Sequence, residues 1–270
     1  MKIFEGTMIL TDLDGTYLAD DHHISAENRA AAEWFMENGG RFSIATGRSK
    51  AGMEHFFPEL RINAPAILYN GSVIYDFEKQ ADVLDLCVGE SGFRLCRALE
   101  ERFPEAGIEV YAGHWPYVAQ DSAHTRRHFA NVKMPWNPCP AADIPQPWLS
   151  LVVTGEGTVL SAVSSFIQQR FPGQFFVQYS SAHMLEIMRH DANKGAAAKH
   201  LWELLGIAPE RVYVAGDGPN DVQLLRCARH SCAPADACPE ILSIARHILP
   251  EHRQHAIAAL IRGIEKGSLL

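Results

Sequence analysis

Apolar and polar positions along this chain follow two different rhythms. Thr7 to Leu13 is a short apolar run, too short for a helix and suited to a buried parallel strand. Ser25 stands as an N-cap ahead of Ala30, Ala31, Trp34 and Phe35 at helical spacing, and Gly39-Gly40 ends that helix. Arg41–Ala45 reads as the next strand, Lys50–Phe57 as a short helix and Pro65–Tyr69 as a third strand. Strands alternating with helices imply a parallel sheet covered on both faces. The same rhythm returns from about residue 185. Asn193 caps a helix through Leu205 whose apolar face is Ala196, Ala197, Leu201, Leu204 and Leu205. Val212–Ala215 is a strand, Asp221–Arg226 a helix, and a last helix runs from about Pro250 to Lys266.

Between these ends the strands look half-exposed and aromatic residues are more frequent. Strands are predicted at 82–88, near 107–111 and 116–120, at 148–154 and at 174–179, with helices at 91–103, 122–130 and 158–171. Pro135, Pro138, Pro140, Pro145 and Pro147 crowd into one segment, which forbids a helix there and marks an irregular connection. Paired strands followed by a helix, occurring twice, indicate an α+β unit with an antiparallel sheet. The simplest arrangement is an α/β core built from residues 1–80 and 186–270, with an α+β domain of residues 81–185 inserted between them.

Composition narrows the function classes. The 270 residues are 47% hydrophobic and 21% charged, which is ordinary for a globular chain. A formal charge of −8 without a basic run argues against nucleic acid as partner. Apolar stretches fall well short of a bilayer span, and the first residues lack a signal peptide's apolar region. A cytoplasmic chain with no membrane partner is therefore expected, compatible with either a monomer or a homo-oligomer. The six cysteines form no Cys-x-x-Cys pair and read as reduced, largely buried thiols. The 13 histidines show no His-Glu-x-x-His, and His22-His23 sits in a polar loop, so they are not read as metal ligands.

Chemistry concentrates where predicted strands end. Thr11-Asp12-Leu13-Asp14-Gly15-Thr16 closes the first strand, at the carboxyl end where open α/β sheets bind ligands. In extended chain, residues i and i+2 point the same way, so Asp12 and Asp14 can face one centre. Adjacent carboxylates repel unless a cation or a shared proton intervenes, which points to a hard divalent cation, Mg²⁺. Thr46-Gly47-Arg48 ends the second strand and offers a hydroxyl, backbone N–H groups and a cation to an anion. Lys194 opens a helix, where its charge and the helix dipole both favour phosphate. Gly216-Asp217-Gly218-Pro219-Asn220-Asp221 supplies two more carboxylates.

Together, Asp12-Leu13-Asp14-Gly15-Thr16, Thr46, Lys194 and Gly216-Asp217-Gly218-x-Asn220-Asp221 resemble the four motifs of the haloacid dehalogenase superfamily. Ala45-Thr46-Gly47-Arg48, Tyr69-Asn70-Gly71 and the run from Leu185-Glu186-Ile187 into Asn193-Lys194-Gly195 look like its Cof-type phosphatases. The resemblance implies a Rossmann-like parallel-sheet core with an inserted α+β cap of the C2B type. It also implies a Mg²⁺-dependent phosphatase acting on small phosphorylated metabolites such as sugar phosphates. Asp12 would be the nucleophile, forming an aspartyl-phosphate, and Asp14 the general acid and base. Thr46 and Lys194 would clamp the phosphoryl oxygens. Asp12, Asp217 and the main-chain carbonyl of Asp14 would hold Mg²⁺, with Asp221 orienting that shell from behind. Gly47, Arg48, Asn70 and Asn220 would contact the substrate. One departure stands out: Asp236 precedes Ala237 where such proteins usually carry Asn.

Two alternatives belong beside this reading, a hexose phosphomutase of the same superfamily and a non-catalytic phosphometabolite sensor. In the inserted domain, Tyr111, Trp115, Tyr117, Trp136 and Trp148 could stack on a sugar or ring, though singly they read as packing residues. Ser180-Ser181-Ala182-His183 is a further candidate contact. Asn70-Gly71-Ser72 matches a glycosylation sequon, a chance match in a cytoplasmic chain.

Overall fold

The computed structural model of the protein describes residues 2–53, 56, 59–132 and 134–268. The chain forms two compact units. One takes residues up to Arg48, then Met53–Leu84 and Asn193 onward; the other takes Ser49–Gly52 and Asp85–Ala192. No described helix is long and apolar enough to cross a membrane.

The first unit is built on a five-stranded parallel sheet, in the order His247–Leu249, His230–Pro234, Val212–Ala215, Met8–Thr11, Arg41–Ile44. Met8 and Leu10 share a buried cluster with Val212, Val214 and with Ala197, Ala198, Leu201 and Trp202 of the helix Lys194–Leu204. The pleat turns Ile9, equally buried, to the opposite face. Burial on both faces explains why Met-Ile-Leu runs without alternation. The helix Ala26–Glu37 starts where expected, with the Ser25 hydroxyl accepting from the Asn28 N–H. Asn28 is itself buried and joins chain segments far apart in sequence: it donates to the Tyr17 carbonyl at 3.1 Å and accepts from the Ala258 N–H at 2.9 Å.

Several elements differ from expectation. The strand predicted over Pro65–Tyr69 is Ala66–Leu68; it touches the parallel sheet through one bridge, Ala45 to Ile67, and pairs antiparallel with Val73–Asp76. Residues 73–76 were not expected as a strand, because they follow directly on Asn-Gly-Ser and are buried at every position rather than alternating. The short strands His230–Pro234 and His247–Leu249 and the helix Pro239–Ile244 also lacked a pattern long enough to read. The final helix begins at Ala256, after a short turn, rather than near Pro250. The predicted helix Lys50–Phe57 is described over Lys50–Met53, and Phe57 lies outside the described residues.

The second unit has a six-stranded sheet, mostly antiparallel, ordered Phe175–Ser181, Met184–Arg189, Trp148–Thr154, Gly107–Ala112, Trp115–Gln120, Asn137–Pro138. Helices Gly89–Arg102 and Gly157–Arg170 pack Leu95, Leu99, Leu160, Val163 and Ile167 against Ile108, Val110, Leu151, Val153, Leu185 and Ile187. Met184–Arg189 was not expected here. Glu186 pairs with Val152 and Ile187 with Leu151, which carries residues 186–192 into this unit although the sequence assigned them to the first. Trp148 is fully buried and Tyr111 nearly so, Tyr117 packs against the same cluster, and Trp136 stacks on Phe129 at 5.7 Å. Trp115 is partly exposed. Glu109 is wholly buried, and His128 Nδ1 lies 2.9 and 3.0 Å from its two oxygens. Burial raises the Glu109 carboxyl; His128 is also raised, because the Glu109 bond and charge outweigh the burial that opposes them.

Gly71 shows how backbone geometry reaches the sheet's functional end. Its φ is +102°, and a Cβ there would stand 2.3 Å from the Asn193 carbonyl and 2.8 Å from the Lys194 nitrogen. Gly71→Ala is expected to lose about 1–3 kcal/mol from the left-handed backbone alone, with the clash adding to it. Urea unfolding measures this; wild-type stability would contradict the close approach.

Candidate active site

The first parallel strand continues its register one residue past Thr11, because the Asp12 N–H donates to the Ala215 carbonyl at 2.8 Å. That bond fixes Asp12 against the end of the neighbouring strand, in the crevice where strand order reverses. The chain then turns at Gly15, whose φ is +74° and whose Cβ, if present, would meet Asp217 Oδ2 at 2.5 Å. The turn lets the Thr16 hydroxyl donate to Asp217 Oδ1 at 2.7 Å. Thr16 lies inside the quoted motif, yet its role as a partner of Asp217 had no sequence signal.

Lys194 is fully buried at the start of its helix, and its Nζ donates to Asp12 Oδ1 at 2.6 Å and to Asp221 Oδ1 at 2.7 Å. The cap beneath it is Asn193, whose side chain accepts from the Ala196 N–H at 2.9 Å. The other oxygen of Asp221 accepts from the N–H groups of Asp217 and Gly218, at 3.0 and 3.1 Å. Both Asp221 oxygens are thus committed to shaping the loop and holding the lysine. Asp12 Oδ2 and Asp217 Oδ2 make no hydrogen bond among the described residues.

Three carboxylates surround one ammonium here, and the titration of the groups reflects it. Burial, then the charges of Asp221 and Asp217, raise the Asp12 carboxyl well above its ordinary range despite Lys194. Burial and Asp221 push Asp217 up to about 6, against the Thr16 bond and Lys194. For Lys194 burial opposes the charge, but Asp12 and Asp221 outweigh it and raise its pKa. The site therefore carries surplus negative charge. One oxygen each from Asp12, Asp217 and Asp221 lies within 4.8 Å of the others, a hard-oxygen set that fits a divalent cation. With Asp221 fully hydrogen-bonded, Asp12 and Asp217 are the better-placed donors.

Asp14 is half-exposed and is held by Arg48, whose Nε and Nη2 donate to its two oxygens at 2.7 and 2.6 Å. The Arg48 guanidinium also lies over the Phe56 ring, 4.6 Å from its centre. His22 Nδ1 comes within 3.7 Å of Asp14 Oδ1, an approach no sequence pattern announced. The buried Thr46 hydroxyl accepts from the Arg48 N–H at 3.1 Å. Asn70, buried and at φ +51°, accepts from Asn220 Nδ2 at 3.1 Å, and Gly47 is bare where a Cβ would stand 2.8 Å from its amide. The Asp236 oxygens are taken by His252, from its N–H at 3.0 Å and its Nδ1 at 2.6 Å, while His252 Nε2 reaches Asp20 at 2.8 Å. The extra acid is thus one half of a local ion pair.

Comparison with known proteins gives consistent matches. A family model described as haloacid dehalogenase-like hydrolase matches residues 9–261. The Bacillus subtilis protein YxeH is 27% identical, over 94% of this chain and 96% of its own. The 5-amino-6-(5-phospho-D-ribitylamino)uracil phosphatase YwtE of the same organism is 25% identical, over 96% of this chain and 98% of its own. A solved haloacid dehalogenase-like hydrolase from Bacteroides thetaiotaomicron superposes with a TM-score of 0.84 at 24% identity, covering 96% of this chain and 99% of that one, a likeness of fold.

Removing the ammonium leaves Asp12 and Asp221 buried without their shared partner. Lys194→Met is therefore expected to destabilise the protein by about 3–5 kcal/mol, measured by urea unfolding near neutral pH. A loss below about 1 kcal/mol, the worth of an exposed pair, would mean the triad is open to water.

Proposed function

Because the chain belongs to the haloacid dehalogenase-like hydrolase family, we propose that it is a Mg²⁺-dependent phosphatase of small phosphomonoesters that carries the phosphoryl group transiently on Asp12. The observation that carries this reading is the buried triad of Asp12, Lys194 and Asp221, set beside Asp217 at the carboxyl end of the parallel sheet. The phosphatase name of its relative YwtE supports the same chemistry.

The Asp12 carboxylate attacks phosphorus, and the bond from phosphorus to the leaving oxygen breaks. Asp14 gives that oxygen a proton. Asp14 then takes a proton from the water that attacks the aspartyl-phosphate, releasing inorganic phosphate and restoring Asp12. Lys194 and Thr46 face the phosphoryl oxygens and spread their charge. Asp12, Asp217 and the main-chain carbonyl of Asp14 would hold Mg²⁺, which supplies charge neutralisation when bound. Asp221 acts through others: it fixes Lys194 with one oxygen and the Asp217 loop with the other. Arg48 has a switching part. Its planar fork suits phosphate as well as carboxylate, so an arriving phosphoryl group exchanges for Asp14 and frees that carboxyl for proton transfer. Asn70, Gly47 and Asn220 border the same anion site. None of the six cysteines forms a disulfide among the described residues, which suits a reducing compartment such as the cytoplasm.

Asp12→Asn is expected to lower phosphate release from p-nitrophenyl phosphate by roughly 10³-fold or more; release at the wild-type rate would end the account. With sugar phosphates, phosphorus NMR should show free phosphate accumulating. Isomerised sugar phosphate with little free phosphate would assign a phosphomutase instead, and tight binding without turnover a sensor.

The cation has its own signature. Burial and Asp221 hold Asp217 at about 6 in the folded chain, so between about pH 4 and about pH 6 the folded state binds more protons than the unfolded one. Stability from this group therefore falls as pH rises through that window. Mg²⁺ offsets the loss only where the carboxylates are ionised. Its rise in Tm is expected to be larger at about pH 7.5 than at about pH 5; equal shifts would remove Asp217 from the cation site.

A further inference from the structure

The second unit brings together His124, Glu156 and His183, with one ligand atom from each lying within 4.8 Å of the others. We propose that these three residues form a binding site for a zinc-class divalent transition metal. Imidazole nitrogens with one carboxylate suit zinc and its neighbours rather than Mg²⁺.

Each ligand sits on an element anchored independently of any metal. His124 lies in the first turn of the helix Ala123–Val132. The start of that helix is tied to the strand Trp148–Thr154 by a hydroxyl triad: Thr125 Oγ1 is 2.8 Å from Thr154 Oγ1, and Ser122 Oγ is 3.0 and 3.3 Å from the two. Glu156 follows two residues after Thr154 and is the N-cap of the helix Gly157–Arg170. His183 is at the tip of the hairpin joining Phe175–Ser181 to Met184–Arg189. That tip is pinned by the Gly155 N–H donating to the His183 carbonyl at 3.1 Å, and by the His183 N–H donating to Ser181 Oγ at 3.2 Å.

Ring orientation argues for a metal over a simple surface ion pair. His183 Nδ1 lies 3.2 Å from the Gly155 carbonyl. A carbonyl only accepts, so the proton is on Nδ1 and the neutral ring keeps its lone pair on Nε2. Donating the second ring nitrogen to a backbone carbonyl is the usual way a metal-binding histidine is held. The two imidazoles are 5.0 Å apart and tilted by 31°, and His124 Nε2 is already 3.2 Å from Glu156 Oε1. Two donors on a tetrahedral zinc stand about 3.3 Å apart, so that pair needs little movement. Glu156 is largely exposed, and water would fill the fourth position.

The test titrates Zn²⁺ into the full chain with Mg²⁺ in excess, following bound zinc by equilibrium dialysis and the histidine rings by NMR. The wild type should bind one more zinc than His124→Ala/His183→Ala, and the resonances of both imidazoles should shift on addition. Zinc should also raise its Tm more than that of the variant. Glu156→Gln, a change at an exposed side chain, should weaken this binding by roughly tenfold or more and keeps the test available if the double variant does not fold. Equal zinc stoichiometry in wild type and double variant, unmoved imidazole signals, or unchanged affinity in Glu156→Gln would each overturn the proposal. None of these outcomes depends on phosphatase activity.

Discussion

The Lys194 ammonium is buried 2.6 Å from Asp12 and 2.7 Å from Asp221, and the three come from segments far apart in the chain. Withdrawing such charges from water costs several kcal/mol per ion, so the arrangement holds only if each charge finds its partner. Lys194 meets this by taking one oxygen from each carboxylate, and Asp221 by taking two backbone N–H groups with the other. One side chain thereby fixes the relative positions of the first strand's end, the helix at 194–204 and the loop after Ala215. Everything chemical in the first unit is placed relative to that point.

The same constraint also sets the electrostatics of the site. A buried lysine cancels one carboxylate, while burial first, and then the surplus negative charge, raise Asp12 and Asp217 above their ordinary range. That surplus disfavours the empty site and favours a hard cation. Arg48 meets the matching need of Asp14 at a more exposed position, through a bidentate pair. Asp236 reads differently once its partner is known, because His252 absorbs it locally.

In the second unit the physical problem is different. Its strands are mostly antiparallel and packed by helices, and among the buried polar groups of its interior Glu109 is neutralised by His128 across 2.9 Å. Nothing there resembles the triad around Lys194. The cluster of His124, Glu156 and His183 arises from the ends of elements, where turns and a hairpin tip converge and side chains stay within reach of water. The chain carries no His-Glu-x-x-His, so its histidines are not read as ligands from the sequence. Residues 124, 156 and 183 belong to three separate elements, so no local motif could have shown them.

Local sequence determined what depends on neighbours along the chain. The Ser25 and Asn193 caps and the buried runs at Met8–Thr11 and Val212–Ala215 were legible because period, cap and turn chemistry are short-range, and the motifs around Asp12, Thr46, Lys194 and Asp217 were legible together through their resemblance to a family. The strands His247–Leu249 and His230–Pro234 were not, since their pairing partners define them. Met184–Arg189 could be read only beside Trp148–Thr154, where its register gives it a place. Tertiary structure alone decided who touches whom: Arg48 on Asp14, Thr16 on Asp217, Lys194 between Asp12 and Asp221. Composition and spacing supply groups of the right kind, but a charge is partnered only when folding removes the water that would otherwise satisfy it.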